Sequence, residues 1–461
     1  MSAVAPEKPR SAALKVRHWH ESGNPVSFVR YAKYKNSGVE WLGEVPEHWE
    51  IRRARFLFEI RKRIVGALGY DVLSVTQSGI RIKDIDSNDG QLSMDYSKYQ
   101  IVEPGDFAMN HMDLLTGYVD ISSLKGVTSP DYRVFSVRTA AVTNARYLLY
   151  ILQMGYQQKI FFAYGQGSSQ LGRWRLPTEQ FNDLRLPLPA RREQDAIAAF
   201  LDRETAKIDA LIAEQEKLIA LLKEKRQALI SHAVTKGLDL NAPMKDSGIE
   251  WLGQVPAHWE IAQIKRLSVV KRGASPRPID DPKYFDDEGK YAWVRISDVS
   301  SSDGVLAETT QRLSDLGSSL SVKLAPGSLF VSIAGTVGKP CITGIDACIH
   351  DGFVYFPTLK LDPKFLYRIF EAGRCYAGLG KFGTQLNLNT DTIGSISIAV
   401  PPKDEMREVL SQLDSLTGTL DSLVGQAECA SGLLRERRAA LISAAVTGKF
   451  DVRQMVGDVA A

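Results

Sequence analysis

The polar side chains that could do chemistry lie at the ends of predicted strands and in turn-rich segments, in two separate stretches of the chain. The first set is Arg81, Lys83, Asn110, His111, Gln170, Arg173 and Arg175. The second set is Lys271, Arg272, Arg277, Arg295, Lys339, Gln385, Asn387 and Asn389. Arginine pairs bidentately with guanine, Asn and Gln pair with adenine, and basic or hydroxyl side chains bind phosphates. Each residue alone is more often an ordinary turn residue, but together they favour binding of double-stranded DNA.

No motif in the sequence is typical of a catalytic centre. GLGKFG (378–383) matches GxGxxG but follows a predicted helix instead of a strand, and GTVGKP (335–340) lacks the Ser or Thr of a phosphate loop. The chain contains no GxSxG, no HExxH and no Asn/Asp-Pro-Pro-aromatic tetrapeptide, and its four cysteines are scattered. We therefore expect a non-catalytic chain without a metal or cofactor of its own.

Two long helices are predicted to position these side chains. Residues 191–233 contain no Pro or Gly and predict a helix about 60 Å long. Alternating steps of four and three residues give an apolar seam, which recurs 212 residues later. The predicted helix-pairing residues are Ile197, Leu201, Ile208, Leu211, Leu218, Leu222, Leu229, Val409, Leu413, Leu416, Leu420, Leu423, Leu434 and Leu441. Since neither helix can bury its seam alone, we expect each to be the partner of the other in an intramolecular coiled coil.

A second repeat precedes each polar stretch. KNSGVEWLGEVPEHWEI (35–51) returns as KDSGIEWLGQVPAHWEI (245–261), so the chain is an internal duplication of leader, variable block and long helix. His48 and His258 lie beside Pro and Trp with no second His or acidic cluster nearby, which favours packing over catalysis or metal binding. Both blocks combine short strand-like runs with one clear helix each, over 145–164 and 363–378, and are predicted to be α+β.

These patterns predict six segments. They are a basic flexible tail (1–33), a first α+β domain (34–190), a central long helix (191–236), a second α+β domain (237–402), a C-terminal long helix (403–448) and a C-terminal tail (449–461). The tail is either an arm that contacts phosphates or a solvated leader. The blocks 36–189 and 247–400 are neutral, with 17 and 16 charges of each sign, so composition alone does not predict nucleic-acid binding. The absence of any long apolar run and the scattered cysteines predict a cytoplasmic protein that does not bind membranes.

The doubled WLGxVPxHWE leader, the GTQLNLN, PLPxxxEQ and VPPKDEM block endings, and the two helices ending ALIS-x-AVT resemble the specificity subunit of type I restriction–modification systems. The resemblance covers most of 34–452. It implies that each block is a target recognition domain for one half of a bipartite, asymmetric DNA site. It also implies that the helices pair antiparallel and set the spacer between the half-sites. Met406 in place of Gln194, and GSSQLGRWRL in place of GTQLNLNTDT, depart from the pattern between the two copies.

The resemblance also implies partners. Two modification subunits, which bind S-adenosylmethionine and methylate adenine, would dock along the helices, and restriction subunits that use ATP and Mg would join them. Because the blocks are neutral, we expect the isolated chain to bind DNA weakly and the complex to bind it tightly. Two alternatives are open: a coiled-coil adaptor with two protein-binding domains and no DNA role, and a single-chain enzyme. A specificity subunit that serves methylation alone is a narrower variant of the main hypothesis.

Overall fold

The computed structural model describes residues 29–86, 93, 95–167, 174–379 and 388–453. The chain forms two compact units. The first consists of Met1–Ile212 with Gly432–Ala461, and the second of Ala213–Ser431. Each unit therefore contains one leader, one variable block and part of each long helix.

The first unit carries twelve strands and three short helices in its described part, followed by the start of a long helix. The strands are β1 (Tyr34–Asn36), β2 (Glu44–Pro46), β3 (Glu50–Arg53), β4 (Phe58–Ile60), β5 (Leu73–Thr76), β6 (Gly79–Ile82), β7 (Gln100–Val102), β8 (Phe107–Met109), β9 (Val119–Ile121), β10 (Gly126–Thr128), β11 (Arg133–Val137) and β12 (Arg185–Leu188). The helices are α1 (Ala54–Leu57), α2 (Ala145–Gln157), α3 (Thr178–Asp183) and the long α4 (Arg191–Lys236), which continues into the second unit.

The second unit repeats this order and adds strands. Its strands are β13 (Met244–Asp246), β14 (Gln254–Pro256), β15 (Glu260–Gln263), β16 (Lys271–Arg272), β17 (Tyr291–Val294), β18 (Val305–Leu306), β19 (Gln311–Leu313), β20 (Val322–Leu324), β21 (Leu329–Ser332), β22 (Pro340–Thr343), β23 (Ala347–Ile349), β24 (Phe353–Tyr355) and β25 (Ser397–Val400). Its helices are α5 (Ile264–Leu267), α6 (Ile296–Ser301), α7 (Asp315–Ser319), α8 (Pro363–Ala372), α9 (Thr390–Ser395) and the long α10 (Lys403–Val446), which ends in the first unit.

The two variable blocks share a core despite their divergent sequences. In the first, an antiparallel sheet has the order β4-β11-β8-β9; in the second, the equivalent order is β16-β24-β21-β22, with β18 added in parallel. Phe107 and Phe135 lie opposite each other in the first sheet, as Val331 and Val354 do in the second. Each sheet contributes to the core that also contains the following helix, α2 or α8. The predicted α+β character of both blocks is confirmed.

The main helix of each block begins at a capping side chain. The side chain of Asn144 accepts a hydrogen bond from the Tyr147 backbone at 3.0 Å and caps α2. Asp362 caps α8, which ends at Gly373 in the left-handed region, with φ of 70°. Both predicted helices are therefore present, but each is shorter than predicted and is followed by a separate 3₁₀ turn.

Outside the shared sheet the two blocks differ. The first has two small antiparallel ribbons, β5-β6 and β7-β10. The second has a four-stranded mixed sheet, β19-β17-β23-β20, in which β17 and β23 are parallel. This divergence of the outer strands on a constant core matches the sequence pattern of constant ends with variable middles.

Both predicted long helices are present, with 46 residues in α4 and 44 in α10. In the first unit, Asp209 of α4 is paired with Arg438 of α10, and Phe200 packs on Phe450 just beyond α10. In the second unit, Arg226 is paired with Asp421, and Lys223 with Glu428. In each unit the partner number falls as the α4 number rises, so the two segments run in opposite directions.

The burial of the helices corrects part of the predicted seam. Leu211 and Leu218 are 45% and 43% exposed, and Leu416 and Leu423 are 44% and 42% exposed. Positions one residue later are more buried. They are Ile212 and Ile219 in α4 and Thr417 and Val424 in α10. The remaining predicted seam residues, Ile197, Leu201, Ile208, Leu222, Leu229, Val409, Leu413, Leu420, Leu434 and Leu441, are buried wholly or in part.

The leaders anchor the long helices. In the first unit, the Trp49 indole donates to Glu193 in the first turn of α4 at 3.0 Å, and His48 Nε2 lies 2.9 Å from the same carboxylate. In the second unit, Trp259 and His258 contact Glu405 in the first turn of α10 at 3.0 and 2.7 Å. Both histidines thus pack beside Trp, as expected, but each has a glutamate partner that the sequence did not reveal.

Candidate DNA interface

Three of the predicted polar residues of the first block lie together. Asn110 and His111 follow β8, and the segment around Arg175 packs against this turn. The Leu176 backbone N–H donates to the His111 carbonyl at 2.9 Å, and Leu114 donates to the Trp174 carbonyl at 3.0 Å. Arg175 is exposed at this polar surface.

His111 is mostly buried within this group. Burial and the nearby charges of Arg133 and Arg175 lower the pKa of His111 to about 3. Its Nδ1 atom is buried and has no hydrogen-bond partner among the described residues. His111 is therefore neutral near pH 7, and it would bring a hydrogen-bonding group but no charge to a phosphate or a base.

Arg133 was not predicted and serves the fold. It is 4% exposed, donates to the Leu176 carbonyl at 3.0 Å and lies over the ring of Phe181. Burial lowers the pKa of Arg133 to about 10, so it stays charged at neutral pH. Its role is to hold the 174–176 segment on the core and so to position Arg175.

Arg81 and Lys83 lie elsewhere on the first block, in and just after β6 of the β5-β6 hairpin. Arg81 is exposed on this hairpin, which belongs to the divergent outer part of the block. Gln170 and Arg173 of the first block and Gln385 and Asn387 of the second lie outside the described residues.

In the second block, two predicted arginines converge on one acidic turn. Arg277 Nη2 lies 2.8 Å from the Asp351 carboxylate, and Arg272 Nε donates to the Asp351 carbonyl. Ser275 Oγ also donates to this carboxylate, at 3.0 Å. These hydrogen bonds and the two arginines hold the pKa of Asp351 below its usual value, although partial burial opposes them. Lys271 precedes Arg272 on β16 and is exposed.

Arg295 lies at the end of β17 and lines an open cleft of about 550 Å³. Its guanidinium donates to Gln311 Oε1 on the neighbouring strand β19. His350, at the end of β23, and Asp280 also line this cleft. Gln311 and His350 were not predicted, because only strand pairing brings these distant positions to Arg295. Asp280, in a loop, was not predicted either.

Two predicted residues already have structural contacts. Lys339 Nζ donates to the carbonyls of Ser300 and Ser302 at 2.9 and 3.2 Å, at the end of α6. The Asn389 side chain accepts from the backbone of Asp391 and Thr392, both at 2.9 Å, and caps α9. These contacts explain both residues without DNA, and their DNA-binding role stays a prediction.

Within the ranges that the structure describes, no three His, Cys, Asp or Glu side chains are grouped so that they could hold a metal ion. In the same ranges, no helix is both long and apolar enough to cross a membrane.

Residues 46–221 and 256–426 both match the model of the family described as the type I restriction modification DNA specificity domain. The matches cover well over half of the chain, which therefore belongs to this family. It is a specificity subunit of a type I restriction–modification system with two tandem specificity domains, as the sequence motifs predicted.

Several known proteins are similar to this chain. A protein of Methanocaldococcus jannaschii named "Putative type I restriction enzyme MjaX specificity subunit" is 21% identical over 460 residues, covering 93% of this chain and 100% of that protein. A solved chain described under complex assembly and conformational transition of the type I R-M system has a TM-score of 0.62 and 15% identity, and the match covers 88% of this chain and 99% of that chain. This likeness shows the fold alone. The HsdS subunit from Thermoanaerobacter tengcongensis has a TM-score of 0.49 and 15% identity over 88% of this chain and 98% of that subunit.

Proposed function

We propose that each specificity domain reads one half of a bipartite, asymmetric DNA site, and that the chain itself is non-catalytic. The two domains have equivalent core sheets but differ in their outer strands. Arg81 lies on one of these strands in the first block, and Arg295 directly follows one in the second. Different outer surfaces on equivalent cores would read different sequences at the two half-sites. The observation that carries the proposal is the match of both blocks to a DNA specificity domain.

The long helices would act as a ruler between the half-sites, paired antiparallel as a coiled coil. Ion pairs between α4 and α10 in both units support this role. The length of such a helical spacer follows from its number of residues, because each residue adds about 1.5 Å. Each DNA base pair adds about 3.4 Å.

Modification subunits would dock along the helices, where exposed leucines offer apolar contacts. In the second unit, Leu218, Leu221, Leu416 and Leu423 are 43%, 53%, 44% and 42% exposed. In the first unit, Leu211 and Leu433 are 45% and 48% exposed. The pairs Leu211/Leu423 and Leu221/Leu433 occupy equivalent positions in the internal repeat, which suits two copies of one partner.

The partners would supply the chemistry. Two modification subunits would hold S-adenosylmethionine and methylate adenine, and restriction subunits would use ATP and Mg. Both blocks are close to neutral, so the partners would also supply much of the positive charge that faces the DNA phosphates. A gel-shift titration should therefore show much tighter DNA binding by the complex than by the chain alone.

Methylation mapping tests the reading of half-sites. The chain is co-expressed with its modification subunits, and methylated positions are mapped by single-molecule sequencing before and after residues 52–189 are exchanged for the block of another specificity subunit. We expect one half of the motif to change and the other to remain. If the chain is instead a protein-binding adaptor, the exchange leaves the methylated motif unchanged.

In the same assay, Gln170→Ala and Arg173→Ala should affect only the half-site of the first block.

A paired deletion tests the ruler. Removing 208–214 from α4 together with the facing 433–439 from α10 takes two turns from each helix and removes Asp209 and Arg438 together. The spacer should shorten by about 10 Å, or about three base pairs. Removing 208–214 alone disrupts the pairing and should abolish activity. A motif with an unchanged spacer after the paired deletion would contradict the ruler.

A further inference from the structure

The cleft at one end of the β19-β17-β23-β20 sheet gathers polar side chains from several parts of the second block. Arg295 follows β17, Gln311 begins the antiparallel strand β19, and His350 follows the parallel strand β23. Because β17 and β23 are parallel and β19 is antiparallel to β17, these three positions lie at the same end of the sheet. Asp280, from the loop before Pro282, lines the same cleft.

Three of these side chains present hydrogen-bond donors. Arg295 donates to Gln311 Oε1, so the amide oxygen faces the guanidinium and the NH₂ group is left to donate. His350 Nδ1 accepts from the Gly352 backbone at 2.8 Å, so in the neutral ring Nε2 carries the proton. Burial, with Arg272 nearby, lowers the pKa of His350, which favours this neutral form.

The fourth side chain is an acceptor. Asp280 is exposed, and its carboxylate can only accept hydrogen bonds when ionised. The floor of the cleft is aromatic, with Trp293 directly opposite Gln311 in the sheet and Phe285 beside it. The cleft therefore offers donors and one acceptor around an apolar floor.

This pattern is complementary to one particular base-pair edge. In the major groove, guanine presents two acceptors, N7 and O6, and its cytosine partner presents one N4 donor. An A·T pair would place a donor at adenine N6, where the cleft has donors of its own. Bidentate reading of adenine by Gln311 would require its amide oxygen to accept a second hydrogen bond beside that from Arg295, whereas its NH₂ group is available to donate to guanine.

We propose that this cleft reads a G·C base pair in the half-site of the second block. Arg295 and Gln311 donate to guanine N7 and O6, and Asp280 accepts from cytosine N4. His350 adds a donor at the edge of the cleft. This inference rests on the proposed function, and it assigns one specificity-determining cluster within it.

The test uses the chain assembled with its modification subunits, with methylated motifs mapped for the variants Arg295→Ala, Gln311→Ala and Asp280→Ala. Each should relax the motif at one and the same position, a G·C pair of a single half-site, and leave the other half-site intact. Lys290→Ala is the matched control, because Lys290 is an exposed cation at the start of the same sheet but does not line the cleft. Its motif should equal that of the unmodified chain.

A second measurement changes the DNA instead of the protein, so it does not depend on whether a variant assembles. Replacing guanine by 7-deazaguanine at the read position removes the N7 acceptor and should weaken binding of the unmodified complex about tenfold. The same replacement at the other guanines of the site should have less effect. A motif unchanged in all three variants would overturn the assignment, as would a uniform loss of affinity across all base pairs, which indicates phosphate contacts. If the unmodified complex methylates no defined motif, the proposed function itself fails.

Discussion

Arg226 and Asp421 join α4 and α10 in the second unit, with Nε 2.8 Å from Oδ1, and the internal repeat makes the same contact in the first unit. Arg438 and Asp209, their equivalents 212 positions away, are also 2.8 Å apart. The two pairs differ in their surroundings. The side chains of the two pairs are similarly exposed, but Arg226 also contacts Glu371 of α8 at 3.0 Å. Both repeats therefore keep this ion pair, and in the second unit its arginine also contacts a second carboxylate, Glu371.

This difference predicts unequal costs of substitution. Arg226→Ala leaves two carboxylates without their shared cation and should lower the free energy of unfolding by about 1–3 kcal/mol. Arg438→Ala removes one partly exposed ion pair to a single carboxylate and should cost less than about 1 kcal/mol. Urea titrations followed by circular dichroism measure both. Lys223→Ala, which loses an exposed contact of 3.4 Å to Glu428, is the control and should stay within about 0.5 kcal/mol. Equal effects of the two arginine variants would contradict a contribution from Glu371.

Leu420 and Leu423 distinguish the buried contact between the helices from the proposed docking surface for modification subunits. Leu420 is 7% exposed and Leu423 is 42% exposed, one turn away on the same helix. Leu420→Asp should destabilise the isolated chain by several kcal/mol, because it buries an unpaired charge. Leu423→Asp should leave the chain folded but weaken its assembly with modification subunits, measured by size-exclusion chromatography of the mixture. A Leu423→Asp chain that assembles normally would remove this leucine from the docking surface.

Both long helices can be predicted from the sequence, but the row of residues through which each helix contacts the other cannot. After Ile208, a seam can continue through Leu211 and Leu218 or through Ile212 and Ile219, and both rows are apolar. In α10 the exposed row, Leu416 and Leu423, is even more apolar than the buried row. Hydrophobicity therefore favours the wrong row, because exposed leucines give the same sequence signal as buried ones.

The candidate DNA interface was only partly predictable for a different reason. Arg295 stands out in the sequence as a charged residue directly after a buried strand. Gln311 and His350 reach it only because β17 pairs with β19 on one side and β23 on the other. Those pairings join residues far apart in sequence, and no local pattern encodes them. The two-fold organisation was recognisable because the leaders and the ends of the long helices repeat closely in sequence.

Glu193 and Glu405 allow the two copies of the leader to be compared. Glu193 is 4% exposed and accepts from Trp49 at 3.0 Å and from Tyr31 at 2.6 Å. The side chain of Glu405 is 28% exposed and accepts from Trp259. If Glu405 is removed, water can therefore more easily accept the hydrogen bond of Trp259. Glu193→Ala should cost about 2–3 kcal/mol of stability and Glu405→Ala clearly less.

Urea unfolding of the two glutamate variants measures this difference. An equal loss of stability in the two variants would show that the buried hydrogen bonds to Tyr31 and Trp49 contribute nothing beyond those of the second copy.

The lowered pKa of His111 predicts that the first unit loses stability at acidic pH. Its pKa is about 3 in the folded chain, because burial and nearby arginines oppose its charge, and near 6.5 when unfolded. The unfolded chain therefore binds the extra proton between these values, so the stability due to neutral His111 is complete above pH 6.5 and is lost as the pH falls toward 3. At pH 5 the loss should be about 2 kcal/mol. His111→Gln and His111→Phe cannot titrate, so their unfolding free energies should fall less than that of the unmodified chain between pH 7 and pH 5. Since the carboxylates are common to all three proteins, the difference between their pH slopes isolates His111, and parallel slopes would show that this imidazole is not buried as a neutral group.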